Sequence, residues 1–335
     1  MPSEFSLIER YFTRPARHST LGVGDDAAIV RPAAGMELLI STDMLVSGTH
    51  FLPDTGPAAL GWKTLAVNVS DMAAMGARPR WAVLAAALPG DCARDEGWIA
   101  AFAQGFFDCA DAFGVDVIGG DTTRGPLNFC VTIFGEVEQG RALLRSGARS
   151  GDDVWVSGTP GCAALGLAHL QGRCVLPEEA LAYCLDALHK PQPRVALGNA
   201  LSAGGLATAA IDVSDGLLAD LGHLLERSGV SARLDFCRLP TRALSCGAPA
   251  ALAKDCLLAG GDDYELVFTS PPGYHDRIAV LGETLSLPLH CIGRIEEPAN
   301  AASGPTERLI LLDADGQPMQ PVRRGYDHFS AGASA

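Results

Sequence analysis

An α/β architecture in two domains is what this sequence predicts, and three observations lead there. The chain has 335 residues, roughly two domains by the usual size relation. Its hydrophobic content of 48% supplies a core for each. Apolar runs that read as strands repeatedly end in a turn bearing aspartate, at Asp43, Asp71, Asp121, Asp212 with Asp215, and Asp262 with Asp263. A helix cap needs one such acid, so the recurrence points to a shared site.

Taken in order, residues 5–12 predict a short helix, and RPARHS after them a basic, mobile segment. In LGVGDDAAIV, Gly22, Gly24 and Ala27 fit the dinucleotide fingerprint GxGxxA. That motif needs a preceding strand and a helix N-terminus facing pyrophosphate, whereas here Asp25 and Asp26 stand where phosphate would be. MELLISTDML predicts a strand ending in Ser41, Thr42 and Asp43, with His50 in the loop beyond. Leu65 to Pro79, LAVNVSDMAAMGARP, predicts a buried strand that hands Asn68, Ser70 and Asp71 to a helix starting at Met72. Residues 82–88 predict another strand. Trp98, Ile99, Phe102, Phe106, Cys109, Ala110 and Phe113 recur at helical spacing, which predicts an amphipathic helix over 95–113 whose aromatics are core, stopped by Gly114.

VDVIGGDTTRG predicts a strand, a glycine turn and an acid, in which Asp121 and Thr122 offer the hard oxygens that Mg²⁺ prefers; a plain hairpin turn is the alternative. NFCVTIFGEVE predicts a further strand, and RALLRSGARSGDD the domain boundary, giving domains 1–140 and 141–335. The second half opens with the strand VWVSGTPG and predicts helices at 161–171, 178–189 and 195–203. In LATAAIDVSDGLLADLGHLLERSG a strand again passes an acid, Asp215, to the start of a helix whose leucines share one face. GGDDYEL predicts a turn of acids before a strand. VSD occurs at 69–71 and 213–215, too short a match to establish a repeat.

The formal net charge of -14 argues against nucleic acid and anionic membrane as partners, since both demand clustered Lys and Arg. No apolar run approaches bilayer length, and the first residues lack a signal-peptide core. Ten scattered cysteines without a CxxC or zinc spacing, among them Cys109, Cys130 and Cys256 in apolar segments, read as reduced thiols in a cytoplasmic protein.

Asp26, Asp43, Asp71, Asp121, Asp212 and Asp215 come from distant points yet share a context, so a common pocket is expected. Together and unpaired they would repel one another; divalent cations remove that cost and let an acidic protein hold a polyphosphate. The chain has no GxxxxGK[ST] loop, no protein-kinase signature and no recognisable nucleophile motif. The residues alone therefore lead to metal-assisted phosphoryl chemistry.

GDDAA, STDMLVSGTHF, NVSDMAAMGA, IGGDTTRG, LLRSGARSGD, IDVSDGL, GGDDYEL and GYDHF, in this order, resemble the thiamine-monophosphate kinase family across nearly the whole chain. The resemblance implies transfer of the ATP γ-phosphoryl to thiamine monophosphate. It implies the two-domain fold of the aminoimidazole ribonucleotide synthetase superfamily: an N-terminal α/β domain that binds ATP and Mg²⁺ and pairs its sheet in a homodimer, and a C-terminal α/β domain, with the active site between them. By the same resemblance Asp26, Ser41, Thr42, Asp43, Asp71, Asp121, Asp212 and Asp215 match magnesium ligands; Gly120, Asp121, Arg145 and Ser214 match ATP contacts; and His50, Asp262 and Tyr326 match substrate contacts. Asp71, Asp121, Arg145 and Asp212 are the implied catalytic set. Many relatives carry Glu where this chain has Asp262, one methylene longer.

Two alternatives stand beside this reading. Superfamily relatives that make selenophosphate or activate carbamoyl groups use a cysteine or selenocysteine near the N-terminus, or a C-terminal cysteine; this sequence has no Cys in its first 90 residues and Ala335 at its end. A non-catalytic nucleotide- or Mg²⁺-binding regulator would bind ATP without turning it over.

Overall fold

The computed structural model describes residues 7–297, 308–320 and 325–326. The chain divides into two compact units, one holding residues 7–72 and 77–140, the other residues 73–76 and those from Arg141 onward.

In the N-terminal unit the hairpin-like pair β1 (Ser19–Leu21) and β2 (Ile29–Val30) precedes a four-stranded sheet. That sheet contains β3 (Met36–Val46), β4 (Arg78–Leu88), β5 (Asp116–Arg124) and β6 (Asn128–Glu138), in the order β3-β6-β4-β5. β3 pairs with β6 antiparallel without a break, from Met36 opposite Glu138 to Val46 opposite Asn128. β4 and β5 are parallel, joined through helix α2 (Glu96–Phe113). Directly opposed residues share a face. Leu45, Phe129, Val131 and Ile133 therefore mark the buried side, where the Phe102 ring of α2 stacks on Phe129 at 4.3 Å. Helix α1 (Pro57–Ala74) crosses α2 with backbone against backbone: a Cβ on Gly61 would lie 2.0 Å from the Phe102 carbonyl oxygen, and one on Gly105 1.9 Å from that of Ala58.

Three expectations are corrected here. Leu65–Ser70 is not a strand but the interior of α1, and Asp71 lies in its last turn, where it caps no N-terminus. The helix is buried on nearly all sides, with Leu65, Ala66, Val69, Asn68 and Ser70 all at 0% exposure, so no polar face writes a helical period into the sequence. Gly119 and Gly120 form no turn; they lie inside β5, beside an irregularity in its pairing with β4. RPARHS is docked: Arg14 pairs with Asp111, Arg17 with Asp111 and Asp116, and the buried Asp116 carboxylate also accepts the backbone N–H groups of Arg17 and His18. Burial would raise Asp116, but these hydrogen bonds hold it below the ordinary carboxylate value. Of the short helix over 5–12, the described part is a single turn at Ile8–Phe12. The helix over 95–113 forms as α2, with Asp95 accepting from the Trp98 N–H, Gly114 in the left-handed conformation at its end, and Phe102 and Phe106 in the core.

The C-terminal unit is a seven-stranded sheet with helices on both faces. Its strands are β7 (Asp153–Ser157), β8 (Ala209–Asp212), β9 (Ser231–Asp235), β10 (Leu266–Ser270), β11 (Leu289–Glu296), β12 (Leu309–Leu312) and β13 (Pro318–Met319), in the order β13-β12-β9-β11-β7-β10-β8. The strands β7 and β10 and the edge strand β8 are buried at every position, as strands covered on both faces must be. Val154, Val156, Ile211 and Val267 point to one core with helices α3 (Cys162–Leu170), α4 (Glu178–His189), α6 (Leu217–Ser228) and α7 (Ala250–Ala259). Trp155, Ala210, Leu266 and Phe268 point to the other, with α5 (Val195–Gly204) and α8 (His275–Leu285).

Candidate active site

In the N-terminal unit two groups of predicted residues form. Ser41 and Asp43 oppose Ile133 and Val131, so both face the helices. Asn68 and Asp71, three positions apart on α1, share a helix face and meet them. The Ser41 hydroxyl donates to Asp71 Oδ2 at 2.5 Å, and Asn68 Oδ1 accepts the Asp43 N–H at 3.1 Å. Thr42 lies on the other face: its hydroxyl donates to the Val131 carbonyl at 2.9 Å and takes no part in the group around Ser41. Any contribution from Thr42 to that group falls to its backbone.

The second group borders a cavity of about 640 Å³ lined by Gly24, Asp25, Asp26, Gly120, Asp121 and Thr122 over an apolar floor that includes Val83 and Phe134. The Asp26 N–H donates to Asp25 Oδ1 at 2.9 Å, which orients the GDD turn. Gly120 is required by close approach, since a Cβ there would lie 1.9 Å from the Leu84 carbonyl oxygen. His50 sits in a tight loop after β3, and its Nδ1 accepts the Val46 N–H at 3.0 Å, so the neutral ring carries its proton on Nε2.

In the C-terminal unit the backbone draws Asp212, Ser214, Asp215, Asp262 and Tyr326 together. Asp212 ends β8, and the chain beyond it continues the ladder: Val213 donates to the Glu265 carbonyl, Tyr264 to that of Val213, and Asp262 to that of Ser214. The Tyr326 N–H donates to the Asp215 carbonyl at 3.0 Å. Asp262 itself has φ +70, a left-handed conformation that Asp tolerates, and its Oδ1 accepts the Tyr264 hydroxyl at 3.2 Å. Gly216 at φ +126 leaves room for the 259–262 loop, because a Cβ there would meet the Ala259 backbone at 2.8 Å. Arg145 is exposed on a segment running beside β8, its carbonyl accepting from Ser228 Oγ.

Asp220, Asp263 and Glu265 are structural partners that the sequence reading did not assign. One oxygen of Asp220 accepts three backbone N–H groups, from Ser214 at 3.0 Å, Asp215 at 3.0 Å and Gly216 at 3.1 Å. Burial first, then the charges of Asp212 and Asp215, push Asp220 up to about 8. Asp263 is buried and accepts from the Gly161 N–H at 2.6 Å and more weakly from Ala163, holding the start of α3; burial raises it well above the ordinary carboxylate value. Glu265 makes a bidentate pair with Arg194 at 2.6 and 2.5 Å and accepts from Ser157 Oγ. A clue to Asp220 was present: an acid a turn into a helix that starts after SDG is a relative of the capping box.

A family described as AIR synthase related protein, N-terminal domain, matches residues 24–137. Thiamine-monophosphate kinase of Escherichia coli (strain K12) is 45% identical over 333 residues, covering 98% of this chain and 98% of its own. The chain belongs to the thiamine-monophosphate kinase family. Among solved structures, thiamine-monophosphate kinase from Stenotrophomonas maltophilia K279a superposes with a TM-score of 0.80 at 45% identity, over 93% of this chain and 95% of that one. AaThiL complexed with AMPPCP and TMP superposes with a TM-score of 0.73 at 31% identity, over 89% of each chain. The aminoimidazole ribonucleotide synthetase-like fold expected from the motifs is thus the fold of these thiamine-monophosphate kinases. The GDD turn that failed as a dinucleotide fingerprint is, in this family, the first stretch of the matched domain.

Proposed function

We propose that this chain transfers the γ-phosphoryl group of ATP to thiamine monophosphate, giving thiamine diphosphate and ADP. The observation that carries the proposal is the 45% identity to a thiamine-monophosphate kinase over 98% of both chains. AaThiL, complexed with AMPPCP and TMP, supports a nucleotide donor and a thiamine monophosphate acceptor.

The donor set fits Mg²⁺. Asp26 and Asp121 border one cavity, Ser41, Asp43 and Asp71 form a second oxygen-rich group, and Asp212 and Asp215 stand together near Asp220. These are hard oxygens, the ligands Mg²⁺ prefers, with the backbone of Thr42 as a further candidate. Bound there, Mg²⁺ supplies the positive charge that offsets both the carboxylates and the phosphates. The acceptor phosphate is largely deprotonated near neutral pH, so it needs no strong general base and the transfer is direct. Alignment is then the main task of the protein's own groups. Gly120 lets the nucleotide approach the β5 backbone, Ser214 and Arg145 take nucleotide phosphate oxygens, and His50, Asp262 and Tyr326 contact the acceptor, His50 as an Nε2–H donor.

The N-terminal unit is the nucleotide-binding, Mg²⁺-binding and dimerisation domain in this reading. The face of its sheet away from the helices carries Leu38, Ile40 and Met44, with Ile40 62% and Met44 53% exposed, and a second copy of the chain is the partner that would cover them. Ten cysteines, none joined in a disulfide, favour a reducing cytoplasm, and among the described residues no helix is long and apolar enough to cross a membrane. Incubation with ATP, Mg²⁺ and thiamine monophosphate should yield thiamine diphosphate and ADP in equal amounts. ATP binding without product would favour a regulator, and a phosphorylated protein that thiamine monophosphate discharges would defeat direct transfer.

A further inference from the structure

Three thiols that the proposed reaction does not use meet in the C-terminal unit. Cys162 opens α3, Cys184 lies within α4, and Cys246 follows the turn Ala243–Ser245. All three are buried, at 0%, 0% and 3% exposure, and their sulfurs lie within 4.8 Å of one another, with Cys184 and Cys246 3.8 Å apart. Sulfurs placed tetrahedrally around an ion with bonds of about 2.3 Å are about 3.8 Å apart. Isolated core cysteines pack as small apolar groups and have no reason to seek each other. Here three separate elements each deliver one sulfur to the same point.

We propose that Cys162, Cys184 and Cys246 form a three-thiolate site for a soft divalent cation of the zinc and cadmium type. Thiolate sulfur selects such ions over Mg²⁺, so the site is chemically distinct from the carboxylates. The electrostatics agree with the geometry. Contact with Cys162 first, then Cys246 and the nearby Arg242, pulls Cys184 below the ordinary thiol range. Cys162 is pushed up by its contact with Cys184 and by burial, and Cys246 by burial and the charge on Cys184. Binding forms three metal–sulfur bonds and releases to solvent the protons that the thiols carry. Three thiolates and a divalent ion leave one negative charge, which Arg242 faces. Coordination would tie the start of α3, already held by Asp263 through Gly161, to α4 and to the 243–246 turn.

The test is titration of the reduced, chelator-stripped full chain with Cd²⁺ in excess Mg²⁺, which keeps the carboxylates occupied. A thiolate-to-cadmium ultraviolet absorption should saturate at one ion per chain, with protons released and a rise in melting temperature. Cys184→Ala and Cys246→Ala should each remove the absorption and the shift while still forming thiamine diphosphate. Cys237→Ser, at an exposed cysteine, should keep both. Absence of a saturable absorption in the wild type, or its survival in an alanine variant, overturns the proposal. Should an alanine variant fail to fold, the wild-type proton count decides: fewer than one proton per ion refutes the site.

Discussion

Replacing Asp220 with alanine removes the single oxygen that holds the Ser214–Gly216 turn. Three backbone donors then lose their acceptor. A buried donor left unsatisfied costs about 1–3 kcal/mol. Gly216 is buried and bears that cost in full, whereas Ser214 and Asp215 are half-buried and regain part of theirs from water. The sum expected for Asp220→Ala is about 2–5 kcal/mol of unfolding free energy. Because the turn carries Asp215 directly after the end of β8 at Asp212, turnover should fall along with stability. Asp220→Asn keeps an acceptor oxygen at the same place and should recover most of the stability. Urea unfolding of the three proteins, followed by thiamine diphosphate formation under conditions where each is folded, measures both quantities. An alanine variant within about 0.5 kcal/mol of wild type would refute the reasoning, since that is the range of a surface substitution. So would an asparagine variant as damaged as the alanine one, because the missing property would then be charge and not an acceptor.

The remaining expectations address the N-terminal unit. Asp71→Asn can still accept from Ser41, so metal-free stability should stay within about 1 kcal/mol of wild type. Turnover should nevertheless drop by about 100-fold or more, the scale on which even outer partners of a metal ligand act. In melts with Mg²⁺ the wild type should gain about 2.7 kcal/mol at 100 times the dissociation constant, and the variant less; equal gains with normal turnover would remove Asp71 from the site. Gly120→Ala drives a methyl to 1.9 Å from the Leu84 carbonyl and should cost about 1–3 kcal/mol in urea unfolding, with weakened nucleotide binding; an unaffected variant would mean β5 yields freely. If the proposed homodimer uses this face, Ile40→Lys, at a side chain 62% exposed in the single chain, should leave the fold intact and lower the mass in light scattering from two chains to one; a wild type of one-chain mass, or an unchanged variant, would refute that use of the face.

Where one face of an element meets solvent, its sequence shows what it is. Met36–Val46 and Asn128–Glu138 alternate as half-covered strands do, and Leu217–Ser228 puts five leucines on one side. Glu96–Phe113 also marks its ends, with Asp95 and Gly114. Leu65–Ser70 within Pro57–Ala74 resembles a strand in sequence because that stretch has no wet face and carries Val67 and Val69, which favour strands. The signals of the helix lay elsewhere: Pro57 in the first helical position, and no Gly or Pro from Lys63 until Gly76. The acids were legible because several unrelated segments repeat them; within the C-terminal unit the backbone runs Asp212, Asp215 and Asp262 close together. The pairing of Asn68 with Asp43 was not legible, since it depends on the angle at which one element reaches another; the grip of Asp220 on three amides is local, and its place a turn into the helix after SDG is the one mark the sequence carries of it.

The unbroken pairing of β3 with β6 also sets a timetable for synthesis. Its partners lie roughly 80 to 100 positions apart in the chain. At about 5–20 residues per second, β3 leaves the ribosome some 4–20 seconds before its partner strand exists. During that interval the alternating apolar side chains of ELLISTDMLV have no strand to pair with, and the parallel crossover from β4 to β5 must also wait. The nascent N-terminal unit is therefore most vulnerable to aggregation before residue 138 emerges, and a chaperone's period of engagement with this chain would end when β6 arrives.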